Sequence, residues 1–262
     1  MRRTAIGAVV FLATFVALAF LALPVISIFI RTSPTRLVAQ LGNPVVTDAL
    51  VVSLKTTAIA QALILGLGTP TAYVLASRRF RGRSLLVTLV ELPLVLPPAV
   101  AGIGLLAAFG RAGLLHTSLP FTQGAVVLAV AFVASPLYVR AAIAAFEGVE
   151  PNVVAASRTL GAGPGRTFFR VVLPLARGGL VAGAALAFAR GLGEFGATVM
   201  FAGSLRGVTQ TLPLAVYSEF NVDFDVALAV SALLVLISAA LLVTLKWLPS
   251  ASTLRFRFAT SS

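Results

Sequence analysis

Apolar residues dominate the chain in six long runs, and polar or basic residues separate one run from the next. The runs cover residues 5–30, 49–76, 85–109, 123–146, 178–201 and 226–247. A helix needs about 20 apolar residues to cross the roughly 30 Å of hydrocarbon in a bilayer. The pattern therefore predicts an all-α polytopic membrane protein with six transmembrane helices in a single domain over residues 1–262.

The composition points to the same class of protein. Hydrophobic residues make up 59% of the chain and charged residues 11%, and the mean hydropathy is +1.03. These values lie outside the range of soluble globular domains. The first run follows a basic start, but it is longer than the roughly 7 to 15 apolar residues of a signal peptide. We expect it to be an uncleaved membrane anchor.

Basic residues are distributed unequally between alternate connections. Thirteen of the 20 lie at the amino terminus, in the second and fourth connections and in the tail: Arg2, Arg3, Arg78, Arg79, Arg81, Arg83, Arg158, Arg166, Arg170, Arg177, Lys246, Arg255 and Arg257. The opposite connections contain Arg31, Arg36, Arg111 and Arg206. The positive-inside rule then predicts a cell-membrane protein with both termini in the cytoplasm. The net charge of +12 orients the helices and does not indicate nucleic-acid binding.

Catalytic and metal-binding signatures are missing from the sequence. The chain has no cysteine and a single histidine, His116, in a short external connection. A lone histidine lacks the partners that a catalytic or metal site requires. No phosphate-binding motif of the form G-x-x-x-x-G-K-[ST] occurs. We expect no cofactor and no enzymatic activity, so any ATP used must be hydrolysed by another chain.

Three charged residues inside the second, third and fourth predicted spans need an explanation. Charged side chains at membrane depth usually face a protein interior or a water-filled path. Glu91 and Arg140 lie at similar depth, which favours a structural ion pair. Lys55 lies near the external end of its span, where it either extends outward to the interface or contributes to a path.

The fifth predicted span contains the run FARGLGEFGA. Arg190 and Glu194 are four residues apart and share one helical face, so they either neutralise each other or line a pore. Gly191, Gly193 and Gly196 surround them, and small residues let helices approach closely or let backbone line a cavity.

The third predicted span contains Pro93, Pro97 and Pro98. Proline removes a helical hydrogen bond and its ring clashes with the preceding turn. We therefore expect this span to be kinked or interrupted, either as a fixed kink or as a moving part.

The connection over residues 147–177 is the longest on the predicted cytoplasmic side. A helix-compatible stretch over 152–160 is followed by a glycine-rich break at 161–165 and by a second amphipathic stretch that ends at Leu173-Pro174. A helix-turn-helix at the membrane surface fits a groove in a cytoplasmic partner, and an inert surface loop is the alternative. Gly161 is expected to supply a positive φ or a close approach to a partner.

These residues resemble the permease subunits of ATP-binding-cassette importers, whose cytoplasmic loop has the pattern E-A-A-x-x-x-G-x9-I-x-L-P. With Gly161 aligned, the pattern falls on Ala155, Ala156, Ser157, Gly161, Val171, Leu173 and Pro174. Ala155 replaces the family's glutamate, and Ser157 replaces its second alanine. The resemblance implies that this segment, with Ala162 and Gly163 in its turn, contacts the ATPase.

Within that family the chain most resembles molybdate/tungstate permeases, and sulfate permeases come second. The similarity is most specific in ARGLGEFGATVMFAG (189–203) and TQTLPLAVY (209–217). It implies the fold of the methionine and molybdate importer permeases and an oxyanion substrate, molybdate or tungstate. It also implies two permease copies, two cytoplasmic ATPase subunits and an external solute-binding protein. From their charge and position within the spans, Lys55, Arg190, Gly193 and Glu194 are our candidates for the translocation path.

Three other functions are consistent with parts of the sequence. A sulfate/thiosulfate permease would share the loop and the fold. An ATP-independent secondary transporter or channel would not need a 147–177 connection that docks to an ATPase, and the two halves of the sequence show no detectable inverted repeat. An integral-membrane enzyme is disfavoured by the absence of cysteine and by the single external histidine.

Overall fold

The computed structural model describes residues 2–31 and 34–247, which form helices and connecting turns without a β-strand. The basic tail with Arg255 and Arg257 lies outside the described residues. A π-helical segment covers Phe168–Val172. The helices are α1 (Arg2–Arg31), α2 (Pro34–Gln40), α3 (Pro44–Ser77), α4 (Arg83–Val95), α5 (Pro98–Phe109), α6 (Gln123–Glu147), α7 (Pro151–Thr159), α8 (Pro164–Thr167), α9 (Leu173–Leu192), α10 (Gly196–Ala202), α11 (Leu212–Glu219) and α12 (Phe224–Trp247).

Five helical stretches in the described residues are long and apolar enough to cross a membrane. They are Val9–Arg31, Pro44–Ser77, Gln123–Glu147, Pro164–Leu192 and Phe224–Thr244. A sixth candidate is the pair α4 and α5, whose axes are bent by 115°. The predicted all-α, multi-pass fold class is confirmed.

Two helices differ in extent from the predicted spans. The second begins at Pro44 instead of residue 49, because Asn43 caps it by accepting the Val45 N–H at 2.9 Å. The fifth is helical from Pro164, so nearly half of the expected 147–177 loop belongs to a helix of 29 residues. That helix ends at Leu192, nine residues before the predicted end at 201.

Helix α6 is the centre of the bundle. Ala125, Ala129, Ala134 and Ala142 on α6 are completely buried, with α3 on one side and α9 on the other. Small residues let the backbones of membrane helices approach closely, which is where their van der Waals packing comes from. A shared hydrogen bond of 2.6 Å between the hydroxyls of Tyr138 on α6 and Thr69 on α3 adds a polar contact to this packing.

Helix α1 lies at the edge of the bundle. None of its residues in the Val9–Arg31 stretch is buried within the described part of the chain, and its main contacts are with α12. Its apolar side chains therefore face lipid or another chain.

Candidate functional site

The first break in a membrane segment lies between α4 and α5. Helix α4 ends at Val95 and α5 begins at Pro98, with the 115° bend between them. Pro97 precedes α5 and Pro98 opens it, a position where a missing N–H costs no helical hydrogen bond. The predicted interruption of this segment is confirmed.

The second break, between α9 and α10, falls inside the predicted 178–201 span. Helix α9 ends at Leu192 and α10 begins at Gly196. The carboxylate of Glu194 accepts a hydrogen bond from the Ala197 N–H, with Oε1 at 2.8 Å. It thereby satisfies one of the free donors at the start of α10. The helix is interrupted here without a proline.

Arg190 and Glu194 form an ion pair across this second break. Arg190 Nη1 lies 2.7 Å from Glu194 Oε2. The Glu194 side chain is 1% exposed, whereas that of Arg190 is 35% exposed. A buried carboxylate requires a positive partner, and Arg190 supplies it while part of its side chain remains accessible.

Lys55 lies at the depth of the second break. Helices α3 and α9 are antiparallel neighbours: Gln61 Nε2 donates to the Ala184 carbonyl at 3.0 Å, and Thr57 packs beside Gly191. Continuing this register toward the start of α3 brings Lys55 level with residues 190–193. Lys55 is exposed, and no described carboxylate lies within ion-pair distance of it.

Two of the three glycines in the FARGLGEFGA run lie at close helix contacts. A Cβ at Gly191 would approach Val130 Cγ1 on α6 to 2.7 Å, and a Cβ at Gly196 would approach Pro98 Cβ to 2.6 Å. A Cβ at Gly102 on α5 would lie 2.6 Å from the Ala197 carbonyl oxygen. The segments that follow the two breaks, α5 and α10, are therefore packed directly against each other. Gly193 is exposed and makes no such contact.

Sequence reasoning missed a set of buried polar side chains near the second break. Ser53 Oγ accepts the Leu212 N–H at 2.7 Å, which fixes the start of α11 to α3. Thr198 Oγ1, Gln210 Oε1 and Thr211 Oγ1 are buried without a hydrogen-bond partner in the described residues. The available signals were hydroxyl residues inside the apolar runs, such as Ser53 and Thr198, and the run TQT at 209–211 between the fifth and sixth runs.

Two ion pairs join α4 to α6. Arg140 Nε lies 3.1 Å from Glu91 Oε1, and Arg83 Nη2 donates to Glu147 Oε1 at 2.5 Å. The pairs have opposite polarity, so each helix contributes one cation and one anion in an antiparallel register. The structure thus brings Glu91 and Arg140 together, and their structural role stays a prediction. Both side chains are more exposed than Glu194, at 37% for Glu91 and 60% for Arg140.

The permease pattern lies in a segment made of α7, the turn after it and the first residues of the long helix that begins at Pro164. The turn is a Schellman motif: the Gly161 N–H bonds the Arg158 carbonyl, and the Ala162 N–H bonds the Ser157 carbonyl at 3.1 Å. Gly161 has φ +83°, and a Cβ there would meet no atom within 4 Å. Of the two expected reasons for glycine, the positive φ is present.

The two arms of this segment are joined by hydroxyl groups. Ser157 and the buried Thr167 share a hydrogen bond of 3.2 Å, which gives a local reason for serine where the permease pattern has alanine. Residues Val171, Leu173 and Pro174 lie within the long helix and not in a loop. The Leu173 N–H bonds Phe168 O five residues back, and such a widened turn admits the Pro174 ring.

The exposed surface of the segment includes large apolar side chains among polar and basic ones. The exposed fraction is 88% for Leu160, 67% for Phe169 and 40% for Val153, and Ala155 and Ala156 are exposed beside them. Ala162 is half-buried and Gly163 is exposed. Large exposed apolar side chains on both sides of a turn are candidates for contact with another protein or with a membrane.

A family model matches residues 64–249, and it describes the inner membrane component of binding-protein-dependent transport systems. The chain belongs to this family. It is therefore a multi-pass permease subunit of an importer of the ATP-binding-cassette class, which implies an external binding protein and an ATPase as partners. The resemblance noted in the sequence is confirmed at this level.

Curated relatives and solved structures agree with the assignment. The molybdenum transport system permease protein of Mycobacterium tuberculosis is 46% identical over 239 residues, covering 88% of this chain and 90% of the relative. The protein of the same name from Escherichia coli K12 is 42% identical over 179 residues, covering 65% and 78%. The inward-facing methionine importer MetNI has a TM-score of 0.63 at 20% identity over 77% of this chain and 93% of that one; this likeness concerns the fold.

Proposed function

We propose that the chain forms the membrane path for a tetrahedral oxyanion, molybdate or tungstate, in an importer driven by separate cytoplasmic ATPase subunits. The observation that carries the substrate is the 46% identity, over 88% of this chain, to a relative named for molybdenum transport. The positive charges of Lys55 and Arg190 near the second break support an anionic substrate.

The path runs past the second break. The charge of Arg190 is balanced by Glu194, whereas that of Lys55 has no carboxylate partner among the described residues. One net positive charge at this depth attracts a divalent oxyanion without providing the several charge-assisted hydrogen bonds that would hold it. An anion that is weakly held can leave toward the cytoplasm, so selectivity resides in the external binding protein. Gly193, which has no side chain, keeps the path open at this level.

The segment from α7 to the start of α9, which we call the docking segment, is the contact with the ATPase, and its exposed side is the docking surface. Its exposed Leu160 and Phe169 provide the apolar surface that docks into a groove of the partner. The helix from Pro164 to Leu192 is continuous and, at about 1.5 Å per residue, spans about 43 Å. ATP-driven movement of the turn is therefore transmitted along one helix to the second break.

Two copies of the chain enclose the path, and both termini lie in the cytoplasm. ATP binding draws the two Gly161 turns together and converts the pair from inward-open to outward-open. Because the natural chain has no cysteine, a single cysteine at residue 163 tests the orientation cleanly. It should be protected from an impermeant thiol reagent added outside intact cells, and a cysteine at residue 116 should react.

The experiment that tests the substrate is uptake by membrane vesicles containing the complete transport system. Molybdate and tungstate should accumulate only with ATP and the binding protein, and sulfate should compete weakly. Sulfate uptake that molybdate does not inhibit would indicate that sulfate is the substrate. Transport without ATP would contradict the importer.

Coupling is tested by Gly161→Arg, which places a bulky residue at a positive φ on the docking surface. The variant should insert normally, lose ATP-driven uptake and retain less ATPase on purification. His116→Arg, in an external connection, is the control and should transport at the normal rate. Normal uptake by Gly161→Arg with its ATPase bound would contradict the docking role.

A further inference from the structure

A cavity of about 740 Å³ lies between the carboxyl-terminal ends of α3 and α6 and the inner side of α7. Its charged wall residues are Arg79, Arg83, Arg158 and Glu147. Arg79 follows α3, Arg83 begins α4 and Arg158 lies on α7, so three separate parts of the chain bring guanidinium groups to one space. No residue of the proposed transport path lines this cavity, whereas one of its walls belongs to the segment that contacts the ATPase.

The positive charge of the cavity exceeds what its own carboxylate balances. Arg83 is bound to Glu147 at 2.5 Å, and its Nε donates to the Leu75 carbonyl at 2.6 Å. Arg79 and Arg158 have no carboxylate within ion-pair distance among the described residues. The residues outside the described ranges include no Asp or Glu, so they bring no acidic side chain either. Two uncompensated guanidinium groups therefore border the cavity.

We propose that this cavity binds an anion of the phosphate class, held between Arg79 and Arg158. Guanidinium groups present paired N–H donors that match the oxygens of a tetrahedral anion, and two of them provide the charge and geometry that one lysine does not. The volume falls in the range of small-molecule sites, about 300 to 1,000 Å³. The bound anion links α7 to the end of α3 and so fixes the position of the docking segment.

The rest of the wall bears on the source of the phosphate group. Tyr73, Phe146 and Val154 form an apolar side of the cavity, and an inorganic ion would leave this side without a contact. A phosphate with organic substituents, such as the headgroup and glycerol of an anionic phospholipid, contacts both sides. Free phosphate has the same recognition chemistry, and the experiment separates the two sources.

The test uses the purified complex of the full chain with its ATPase. Native mass spectrometry measures retention of phosphatidylglycerol against phosphatidylcholine, and a second titration adds inorganic phosphate. Phosphatidylglycerol should bind with about tenfold higher affinity than phosphatidylcholine, and the double variant Arg79→Gln/Arg158→Gln should remove this preference. The control variant Arg81→Gln/Arg166→Gln loses the same charge from exposed residues that do not line the cavity. It should keep the preference for phosphatidylglycerol.

A second pair of variants keeps all the arginines. Ala155 lines the cavity and Ala156 does not, so Ala155→Glu should cancel one of the two uncompensated charges and weaken binding about tenfold, while Ala156→Glu should leave binding unchanged. Binding of inorganic phosphate with the same arginine dependence, without a lipid preference, would support the site with free phosphate as its ligand. Equal losses in the cavity and control variants, or binding only after the ATPase is removed, would overturn the proposal.

Discussion

The break between α4 and α5 is made by prolines, whereas the break between α9 and α10 is made by a buried carboxylate and by glycines. At the first, Pro97 and Pro98 lack the N–H groups that would continue α4 beyond Val95, whatever the surroundings. At the second, Glu194 supplies the missing acceptor to α10 and needs Arg190 as its counter-ion. The first break follows from the proline residues themselves, whereas the second depends on contacts within the packed bundle.

The two breaks also differ in charge. The ion pair near the first, Arg140 with Glu91, is largely exposed, and the carboxylate of the second is almost completely buried. The second break has an additional cation, Lys55, at its depth. This difference is the reason for assigning the path to the second break and for giving the first a role in shape.

The largest expected effect comes from separating the two segments that follow the breaks. Gly102→Leu places a side chain against the Ala197 carbonyl oxygen, where even a Cβ would lie at 2.6 Å. Overpacking of this kind costs about 3 kcal/mol, and uptake should be lost. Gly104→Leu on the same helix is the control, because a Cβ there meets nothing within 4 Å. Unfolding in a denaturing detergent series measures both, and equal stability of the two variants would contradict the close packing.

The second effect is removal of the buried charge. Glu194→Gln keeps an acceptor for the Ala197 N–H but leaves Arg190 without its counter-ion. Breaking a buried pair costs several kcal/mol, and the partial exposure of Arg190 reduces this to about 2 kcal/mol. The same unfolding measurement checks the value. A stability equal to that of the wild type would show that the second break does not depend on its ion pair.

The smallest effect is expected at the first break. Glu91→Gln removes the partner of Arg140, whose side chain is 60% exposed and about six residues from the predicted cytoplasmic end of its span, within reach of water. Ion pairs in contact with water contribute about 0.5 kcal/mol. The proline-determined bend should persist, as judged by distances between spin labels on α4 and α5. A loss as large as that of Glu194→Gln would remove the distinction between the breaks.

Sequence was a good guide where the determinant was local. The apolar runs, the interruption at Pro97 and the positive φ of Gly161 each follow from a few adjacent residues. The end of α9 at Leu192 does not follow from adjacent residues, because the run FARGLGEFGA is compatible with a continuous helix. The break depends on the Glu194 carboxylate, which accepts the Ala197 N–H at the start of α10. The helical start at Pro164 was missed because Pro174, usually a helix breaker, is accommodated by the π-helical turn before it. The depth of Lys55 required the register between α3 and α9.

The claim that the second break lines the anion path is tested most directly at Lys55. The measurement is the initial rate of ATP-driven molybdate uptake by proteoliposomes containing the chain, its ATPase and its binding protein. Lys55→Gln should slow uptake about fivefold, since one charge acting at short range in a partly solvated site contributes about 1 kcal/mol, while Lys55→Arg should retain most of the rate. An unchanged rate for Lys55→Gln, with the complex intact, would contradict the assignment of the path to the second break.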